Sequence, residues 1–308
     1  TLTLEAARAV GQALGSLARE KNISTLCVGR DGRLSGPKLS EALIEGITDK
    51  GVNVKSIGMT PTPVLYFATF LTETGSGVAV TGSHNPPEYN GLKMMMGKDT
   101  LYGEGIQALR QRIEAGITVS DQKGSVEEID VVTPYLKKIT DDVKIARPIK
   151  VAIDCGNGVT GPIAMELFKR LGCEVTPLYT EIDGHFPNHH PDPSKPANLK
   201  DLIQTVKNTD VELGLAFDGD GDRLGVVTKS GQIIYPDRQI MLFATDILKH
   251  NPGAPIIYDV KCTRRLVPWI KEHGGVPTIC RTGHSLVKAK LKETQAPFAG
   301  EMSGHLFF

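Results

Sequence analysis

The chain has 308 residues, its 35 Lys and Arg balance 35 Asp and Glu, and 40% of its residues are hydrophobic. The zero net charge argues against nucleic-acid binding as the main function, because a phosphate backbone is bound by a positive surplus. The hydrophobic content excludes a disordered chain, and no apolar run approaches the ~18 residues of a membrane-spanning helix. The five cysteines, which are never spaced C-x-x-C, favour reduced thiols and a cytoplasmic location.

The first part of the chain predicts alternating helices and strands, the pattern of parallel βαβ units. Thr3 stands at the N-cap position of the first predicted helix, at 4–20. Predicted strands follow at 25–30, 53–58 and 77–81, with predicted helices at 37–50 and 64–72. Residues 116–128 are polar and contain glycine, so a linker or surface excursion is predicted there.

The same order of elements recurs twice more. Predicted strands lie at 151–155, 174–179, 212–217, 256–260, 276–280 and 297–299, and predicted helices at 162–171, 197–207, 263–273 and 285–292. We therefore predict an α/β fold of three tandem, topologically similar domains with mixed, mostly parallel sheets, at 1–130, 131–234 and 235–308. The loop richest in functional groups follows the third strand of each unit. Because ligands bind at the carboxyl ends of parallel strands, these loops are expected to converge on one central cleft.

The first of these loops is TGSHNPPEYNGLK, at residues 81–93. Ser83 directly follows a strand and can accept a phosphoryl group if the added negative charge is neutralised. Lys93 can supply a positive charge for this purpose, and His84 can donate a hydrogen bond. Ser and Asn also favour ordinary turns, so these residues alone leave a plain turn open.

The second loop is DGDGDR, at residues 218–223. The intervening glycines let the backbone curl so that Asp218, Asp220 and Asp222 face one point. Crowded carboxylates repel one another unless a cation lies between them, and oxygen ligands suit Mg²⁺ or Ca²⁺. An EF-hand is excluded, because Arg223 and Lys229 stand where it needs Gly and Glu. A solvated acidic turn is the remaining alternative.

The third loop is GEMSGH, at residues 300–305. Glu301 and Ser303 alternate with Met302, so both can point to one side of an extended backbone. A carboxylate beside a hydroxyl suits hydrogen bonding to the vicinal hydroxyls of a sugar. A plain turn fits the same residues.

One further motif supports a different function. GNGVTG, with Gly156, Gly158 and Gly161, follows a predicted strand and opens a helix. With Glu181 further along, it formally matches the dinucleotide-binding fingerprint and would suit a dinucleotide-dependent oxidoreductase. Hydride transfer requires neither a nucleophilic serine nor a carboxylate cluster, however, and the glycines also allow a tight strand–helix turn.

Other polar residues are candidates for binding or catalysis. The histidines of residues 183–198 resemble a metal cluster, but four prolines exclude the helical spacing of a zinc protease. Lys261, Arg264 and Arg265 follow a strand and could neutralise phosphate, or could form an exposed basic helix start. His284 could act as a general acid or base, or could simply lie beside an N-cap.

Four motifs, in this order, resemble the α-D-phosphohexomutase family, and within it the bacterial phosphomannomutase/phosphoglucomutase group. They are TGSHNPPEYNGLK, DGHFPNHHPDPSKPAN, AFDGDGDR and AGEMSGH. The resemblance spans nearly the whole chain. It implies interconversion of hexose 1- and 6-phosphates of mannose or glucose through a phosphoserine, one Mg²⁺ and a hexose 1,6-bisphosphate. Phosphoglucosamine mutases resemble the chain less well, because their sugar loop typically has Gln in place of Met302.

The resemblance also implies roles for individual residues. Ser83 would carry the phosphate and hold Mg²⁺ together with the three aspartates of DGDGDR. The expected metal ligands are Ser83, Asp218, Asp220 and Asp222. The expected catalytic residues are Ser83, His84, Lys93, Arg223, Lys261 and His284, and the general base remains open between the two histidines and Lys261. The expected substrate-binding residues are Glu301, Ser303 and His305.

Two features expected of that family do not occur in these residues: a Tyr-Asp-Ile-Arg-Gly segment before the first helix, and a fourth domain that grips the distal phosphate. We therefore expect the natural protein to be longer, a further segment to complete the cleft, and this chain alone to have little mutase activity. The expected partners are hexose phosphates, with neither nucleic acid nor membrane. A non-catalytic sugar-phosphate binding protein of the same fold is a further alternative.

Overall fold

The structure is a computed structural model that describes residues 2–116, 120 and 122–308. The helices of the first domain are α1 (Leu4–Glu20), α2 (Gly36–Thr48), α3 (Thr62–Leu71) and α4 (Glu104–Glu114). Its strands are β1 (Thr25–Arg30), β2 (Asn53–Met59), β3 (Gly77–Val80), β4 (Leu92–Met96), β5 (Asp99–Thr100) and β6 (Val126–Glu128). The predicted N-cap is confirmed, because the Thr3 hydroxyl accepts a hydrogen bond from the Ala6 N–H at 3.1 Å.

The other two domains repeat this arrangement with fewer strands. The second contains α5 (Val132–Asp142), β7 (Lys150–Asp154), α6 (Gly161–Arg170), β8 (Glu174–Leu178), α7 (Lys200–Asn208), β9 (Leu213–Phe217), β10 (Leu224–Thr228) and β11 (Ile233–Ile234). The third contains α8 (Pro236–His250), β12 (Pro255–Asp259), α9 (Leu266–Glu272), β13 (Val276–Cys280), α10 (His284–Thr294), β14 (Phe298–Gly300) and β15 (Leu306–Phe307).

The three sheets share one topology. Their strand orders are β5-β4-β3-β1-β2-β6, β11-β10-β9-β7-β8 and β13-β12-β14-β15. In each sheet the first strand lies between the second and third, all three are parallel, and an antiparallel strand adjoins the third. The prediction of three similar α/β domains with mixed, mostly parallel sheets is therefore confirmed. The antiparallel strand β4 was not predicted, whereas a strand at the end of the sequence, where β15 lies, was.

Close helix packing fixes the first domain around its buried apolar residues. A Cβ atom on Gly11 of α1 would collide with the Leu43 carbonyl oxygen of α2, and one on Gly46 of α2 would collide with the Arg8 carbonyl oxygen. Glycine at both positions lets the two helices approach until Leu14 and Leu43 are fully buried.

Several predicted boundaries are wrong. The segment predicted as a linker or surface excursion, 116–128, ends in β6, an exposed strand that pairs in parallel with β2, while residues 117–119 and 121 lie outside the described residues. The helix predicted at 263–273 begins only at Leu266 and ends at Glu272, and in the turn before it the Thr263 N–H donates to Asp237 Oδ2 of α8 at 3.1 Å. Within the described ranges, every helix is too short or too polar to cross a lipid bilayer.

Candidate functional site

The three functional loops occupy equivalent places in the three sheets. Each loop joins the third parallel strand to its antiparallel neighbour, at residues 81–91, 218–223 and 301–305. Ser83 Oγ donates to Asp218 Oδ2 at 2.8 Å, which joins the first loop to the second. His305 Nε2 lies 3.1 Å from Asp222 Oδ1, which joins the third to the second. The predicted convergence of the three loops is confirmed.

Ser83 is held in an unusual backbone conformation. Its φ of +48° lies in the left-handed region that residues with a Cβ atom rarely adopt. The conformation is supported by the Ser83 N–H, which donates to Thr81 Oγ1 at 2.8 Å, and His84 Nδ1 lies 3.3 Å from Ser83 Oγ. Gly219 is required nearby, since a Cβ atom there would collide with the Ser83 carbonyl oxygen. Strain of this kind is typical of functional positions.

The side chains of Asp218, Asp220 and Asp222, here called the carboxylate triad, can bring one oxygen each to within 4.8 Å of the others. Burial, together with the charges of the other two carboxylates, raises the pKa of Asp218 well above its usual range. Asp220 Oδ1 is buried and lacks a hydrogen-bond partner among the described residues. Oxygen donors around an unsatisfied buried carboxylate atom fit a hard divalent cation such as Mg²⁺.

Two basic side chains face the carboxylate triad. Lys93 Nζ lies 2.6 Å from an oxygen of Asp220 and 2.6 Å from an oxygen of Asp222. Burial opposes the charge of this ammonium group, but the carboxylates outweigh burial and raise the pKa of Lys93. Arg223 donates its backbone N–H to Asp218 Oδ1 at 3.2 Å, and its Nε lies 3.4 Å from His305 Nε2. The site therefore has cations ready to offset added negative charge.

His305 joins the third loop to the carboxylate triad. Its Nδ1 lies 3.0 Å from Glu301 Oε2 and 2.9 Å from Ser303 Oγ. Burial disfavours its charged form, but hydrogen bonds to Asp222 and Glu301 outweigh burial and raise the pKa of His305 to about 9. Glu301 Oε1 also accepts the Gly283 N–H at 2.7 Å, so both carboxylate oxygens have a protein donor. Each oxygen retains a lone pair for a further donor.

Of the remaining predicted residues, two histidines are half-buried and one lysine is exposed. His284 is the first residue of α10, and burial, with the nearby charges of Lys93 and Lys288, lowers its pKa to about 4. Burial, with the charge of Arg223, also lowers the pKa of His84. Lys261, in contrast, is exposed in the turn after β12.

A cavity of about 280 Å³ opens between α3, α10 and the loops, and Asp222, Arg223, His284 and His305 line it. Lys288 lies on its wall, with Nζ 3.5 Å from the centroid of the Tyr66 ring. Burial lowers the pKa of Lys288 to about 8. Within the described ranges no carboxylate lies at ion-pair distance from Nζ, and the Tyr66 hydroxyl has no partner. The Lys288 ammonium group and the Tyr66 hydroxyl are therefore available to bind an anionic ligand.

The Arg33 side chain holds the Ser83 loop in place through hydrogen bonds to its backbone. Its side chain is fully buried and uses all five of its N–H donors. Nε donates to Asp31 at 3.1 Å, and the other four donors reach backbone carbonyl oxygens of the loop. Those oxygens belong to Ser83 (2.9 Å), Asn85 (2.6 Å), Tyr89 (2.9 Å) and Pro86. One guanidinium group therefore fixes the path of the loop on both sides of His84.

Comparison with known proteins agrees with this geometry. Profiles described as phosphoglucomutase/phosphomannomutase α/β/α domains I, II and III match residues 1–122, 133–231 and 235–308. The chain belongs to the phosphoglucomutase/phosphomannomutase family.

Two relatives and one solved structure show how far the similarity extends. A phosphomannomutase/phosphoglucomutase of Pseudomonas aeruginosa is 58% identical over 308 residues, and a phosphoglucomutase of Neisseria gonorrhoeae is 59% identical over 309 residues. These similarities cover 100% of this chain but 66% and 67% of the relatives. A family member from Burkholderia thailandensis, with a crystal structure, has a TM-score of 0.95 and 54% identity over 100% of this chain and 69% of its own.

Within this family site, the GNGVTG motif has a packing role. The Val159 N–H donates to the Gly219 carbonyl oxygen at 3.2 Å, and a Cβ atom on Gly158 would lie 3.0 Å from the same oxygen. A Cβ atom on Gly161 would collide with the Thr180 carbonyl oxygen. Gly158 thus allows close packing against the DGDGDR loop and Gly161 against the backbone of Thr180, and the dinucleotide-dependent alternative is not favoured.

The proline- and histidine-rich loop at 183–198 supports the Ser83 loop from the second domain. His190 Nε2 contacts the His84 carbonyl oxygen. The ring of Phe186 lies 5.2 Å from the guanidinium carbon of Arg33. His189 Nε2 lies 3.0 Å from both carboxylate oxygens of Asp154. His189 and His190 therefore contact other parts of the site, whereas His185 binds Asp183 of its own loop, and no metal cluster surrounds these histidines among the described residues.

The contact between His189 and Asp154 predicts a pH-dependent stability. Burial disfavours the imidazolium, but the hydrogen bond to Asp154 and its charge outweigh burial and raise the pKa of His189. Because the folded-state pKa lies above the unfolded value of ~6.5, the stabilisation is complete below that pH and is lost as the pH rises through the folded-state pKa. The free-energy difference between wild type and His189→Gln, from urea unfolding at pH 6 to 9, is expected to shrink with rising pH.

His250→Gln is the matched control for this prediction. His250 is exposed at the last position of α8, so its replacement is expected to change the free energy of unfolding little at any pH. A His189→Gln effect that grew with pH would contradict the assignment of a charged pair.

Sequence reasoning missed three residues of the site. Arg33 was overlooked because arginine is usually exposed, and a fully buried one is recognisable only from its partners. Lys288 and Tyr66 lie far apart in the sequence, and only the packing of α10 against α3 brings them together. The spacing Asp31-x-Arg33 was the one local signal, since an aspartate two residues before an arginine can bind both its backbone and its side chain.

Proposed function

We propose that the chain carries the phosphoryl-transfer site of a phosphohexomutase, which interconverts hexose 1-phosphate and hexose 6-phosphate of glucose, mannose or both. The observation that carries the proposal is the position of Ser83, with Oγ 2.8 Å from the carboxylate triad in a strained, fully supported loop. A serine in such a place can accept a phosphoryl group, which the neighbouring cations would neutralise.

The proposed reaction consists of two transfers of opposite direction. The phosphoryl group of phospho-Ser83 passes to the free hydroxyl of a hexose monophosphate, so the bond from phosphorus to Oγ breaks as the bond to the sugar oxygen forms. The resulting 1,6-bisphosphate turns over, and Ser83 takes back the phosphoryl group from the other end. The sugar hydroxyl must lose a proton in the first transfer, and Ser83 Oγ must gain one.

The side chains around Ser83 suit these steps. Lys93 and Arg223 offset negative charge on the transferring group. His84 and His284 are held neutral by burial and by nearby cations, so either can accept the hydroxyl proton at neutral pH. Lys261 is the third candidate base, from its exposed turn.

The carboxylate triad, with Ser83, is the proposed site of one Mg²⁺. A bound Mg²⁺ would supply Lewis-acid withdrawal of charge from phosphoryl oxygens. The chain itself contributes the three carboxylates and the glycines that let them converge.

Sugar recognition is assigned to the third domain. The Ser303 hydroxyl and the free lone pairs of Glu301 can bind sugar hydroxyls, while His305 orients both side chains. A hydroxyl clamp suits a mutase, because the substrate must be recognised in two orientations. The names of the relatives agree with glucose and mannose as the sugars of this family.

The test is the intact mass of the purified protein before and after phosphatase, with peptide mapping of the modified residue. We expect one phosphate on Ser83, installed by glucose 1,6-bisphosphate and removed by added glucose 6-phosphate. Ser83→Ala should carry none, whereas the matched Ser230→Ala variant, at an exposed turn outside the site, should still be phosphorylated. Absence of phosphoserine after incubation of the wild type with the bisphosphate would refute the proposal.

Lys288 is expected to strengthen binding of hexose phosphates. Its half-buried side chain lies beside Tyr66 and Phe307 and within the fields of Asp222 and Lys93, and it faces the cavity with no carboxylate paired to it among the described residues. Lys288→Met should weaken glucose 6-phosphate binding by about tenfold, the scale of one charge-assisted hydrogen bond. Since the pKa of Lys288 is about 8, wild-type affinity should also fall between pH 7 and 9. Titration calorimetry of both proteins over this range measures both effects.

Lys292→Met provides the control, because Lys292 lies one turn further along α10 and binds Asp99 at the surface. It should bind the sugar phosphate like the wild type. Equal affinities of Lys288→Met and Lys292→Met at pH 7 would exclude Lys288 from the binding site.

A further inference from the structure

The first parallel strand of every domain ends in a buried aspartate. Asp31 directly follows β1, Asp154 is the last residue of β7, and Asp259 is the last residue of β12. Their exposed fractions are 2%, 1% and 0%. A buried carboxylate is costly unless donors surround it, so three equivalent ones require an explanation in what they bind.

In the first domain the aspartate binds the Ser83 loop. Asp31 Oδ2 accepts the Thr81 hydroxyl at 2.8 Å and the Gly82 N–H at 3.0 Å. The same carboxylate accepts the backbone N–H of Arg33 at 3.0 Å and its Nε at 3.1 Å. Thr81 in turn accepts the Ser83 N–H, so a continuous chain of hydrogen bonds joins Asp31 to the residue with the left-handed backbone.

In the third domain the equivalent aspartate binds the Glu301 loop. Asp259 Oδ1 accepts the Met302 N–H at 3.2 Å and the Cys262 thiol at 3.1 Å. Asp259 Oδ2 accepts the Thr282 hydroxyl at 2.9 Å. One carboxylate thus ties together the loop that bears Glu301, the turn before α10, and the turn after its own strand.

In the second domain the equivalent aspartate reaches the Ser83 loop indirectly, through the His189–His190 segment. Asp154 Oδ1 accepts the Gly156 N–H at 2.9 Å, and both its oxygens face His189 Nε2. The next residue, His190, contacts the carbonyl oxygen of His84. The two backbone N–H groups and the Arg33 Nε–H that bind Asp31 can only donate, so an asparagine at that position would direct its own N–H₂ group at one of them.

We propose that the aspartate at the end of each first strand is a positioning residue for the site: Asp31 orients the Ser83 loop, Asp259 the Glu301 loop, and Asp154 the His189–His190 segment. The first strand is central in each sheet, so its carboxyl end is rigid and adjoins the loop after the third strand. The expected effects on phosphoryl transfer rest on the proposed function. The expected effects on the conformational order of the loops do not.

Two Thr→Val variants, which alter partners of the aspartates, and two Asp→Asn variants test the proposal. Thr81→Val removes one donor to Asp31 together with the acceptor of the Ser83 N–H, and Thr282→Val removes one donor to Asp259, in both cases without a change of charge. Asp31→Asn and Asp259→Asn change the carboxylate itself. Amide hydrogen exchange, measured by mass spectrometry, should accelerate about tenfold in residues 81–91 in Thr81→Val and Asp31→Asn only. It should accelerate to a similar extent in residues 300–306 in Thr282→Val and Asp259→Asn only.

The functional readout separates orientation from general destabilisation. With glucose 1,6-bisphosphate as donor, Thr81→Val should lower the saturating rate of Ser83 phosphorylation about 10-fold to 100-fold with unchanged half-saturation. Thr282→Val should raise the half-saturating concentration of the donor and leave the saturating rate unchanged. If the wild type gives no phosphoserine, the proposed function fails, and the exchange data still decide the positioning role.

Asp49→Asn is the control, because Asp49 is equally buried and binds Arg8, Gln12 and Lys123 away from the functional loops. It should lower stability without acceleration of exchange in either loop. Wild-type exchange in both loops of the folded Thr→Val variants would overturn the proposal. The same would follow if Asp49→Asn accelerated the two loops as much as the other variants do.

Discussion

Asp220→Asn is expected to abolish Mg²⁺ binding to the carboxylate triad and to slow phosphorylation of Ser83 by at least about 10³-fold. One oxygen of Asp220 accepts hydrogen bonds from Thr62 Oγ1 and Lys93 Nζ, each at 2.6 Å, and the other is buried and has no hydrogen-bond partner in the described part of the chain. An asparagine must replace one of these oxygens with an N–H₂ group, which repels a cation. Titration calorimetry with MgCl₂, and intact mass over time with glucose 1,6-bisphosphate, measure the two effects.

A stability measurement gives a second readout of the same prediction. A ligand that binds only the folded state at about 100 times its Kd raises the free energy of unfolding by about 2.7 kcal/mol. The wild type should gain this increment in Mg²⁺, and Asp220→Asn should gain none. Asp246→Asn removes an exposed carboxylate of α8 and should behave like the wild type. Wild-type Mg²⁺ affinity in Asp220→Asn would remove the triad from consideration as the metal site.

The parallel strands were predictable from the sequence because they are short apolar runs bounded by glycine, proline and polar turns. Thr25–Arg30 and Val276–Cys280 were predicted with their observed bounds. The antiparallel strand Leu92–Met96 was missed, because its LKMMM sequence lacks the β-branched residues that favour strands. Its strand conformation comes from pairing with the buried β3, a contact across the 81–91 loop that local propensity does not encode.

The loops of the site were predictable for a different reason. Alternating aspartate and glycine, or a Gly-flanked serine after a strand, carry chemical information in the local sequence, and their convergence follows from strand topology. What holds them is not local. The partners of Arg33 lie 50 or more residues away in the Ser83 loop, and Thr62 and Asp220 are separated by 158 residues. Such contacts require the packed domains, so the supporting residues had to come from the structure.

The zero net charge of the chain does not reflect how charge is distributed in the site, where carboxylates and basic side chains lie close together. The buried carboxylates of the triad and the nearby Glu301 face Lys93, Arg223, His305 and Lys288, each held by hydrogen bonds or by ring packing. In a partly buried site these charges act more strongly than they would in water. The balance across the chain therefore gives no measure of how well the site can stabilise a phosphoryl group.

Arg33→Lys is expected to be among the most damaging conservative substitutions in the chain, although it preserves the charge. Arg33 uses five donors in a planar fork, and a lysine ammonium has three donors on one atom, so backbone carbonyls of the Ser83 loop must lose partners. Each unsatisfied buried acceptor costs about 1–3 kcal/mol. With two or more lost, we expect the free energy of unfolding to fall by at least about 2 kcal/mol and Ser83 phosphorylation to slow by about 10²-fold.

Urea unfolding measures the first effect, and phosphate incorporation per folded molecule measures the second. Arg30→Lys is the matched control, since Arg30 lies three residues earlier and its side chain donates one hydrogen bond, to the Asp31 carbonyl oxygen at 3.2 Å. Its replacement should cost at most about 1 kcal/mol and leave phosphorylation unchanged. If Arg33→Lys matched Arg30→Lys in both measurements, the guanidinium would not be what holds the Ser83 loop. The left-handed backbone at Ser83 would then have to be maintained by Asp31 and Thr81 alone.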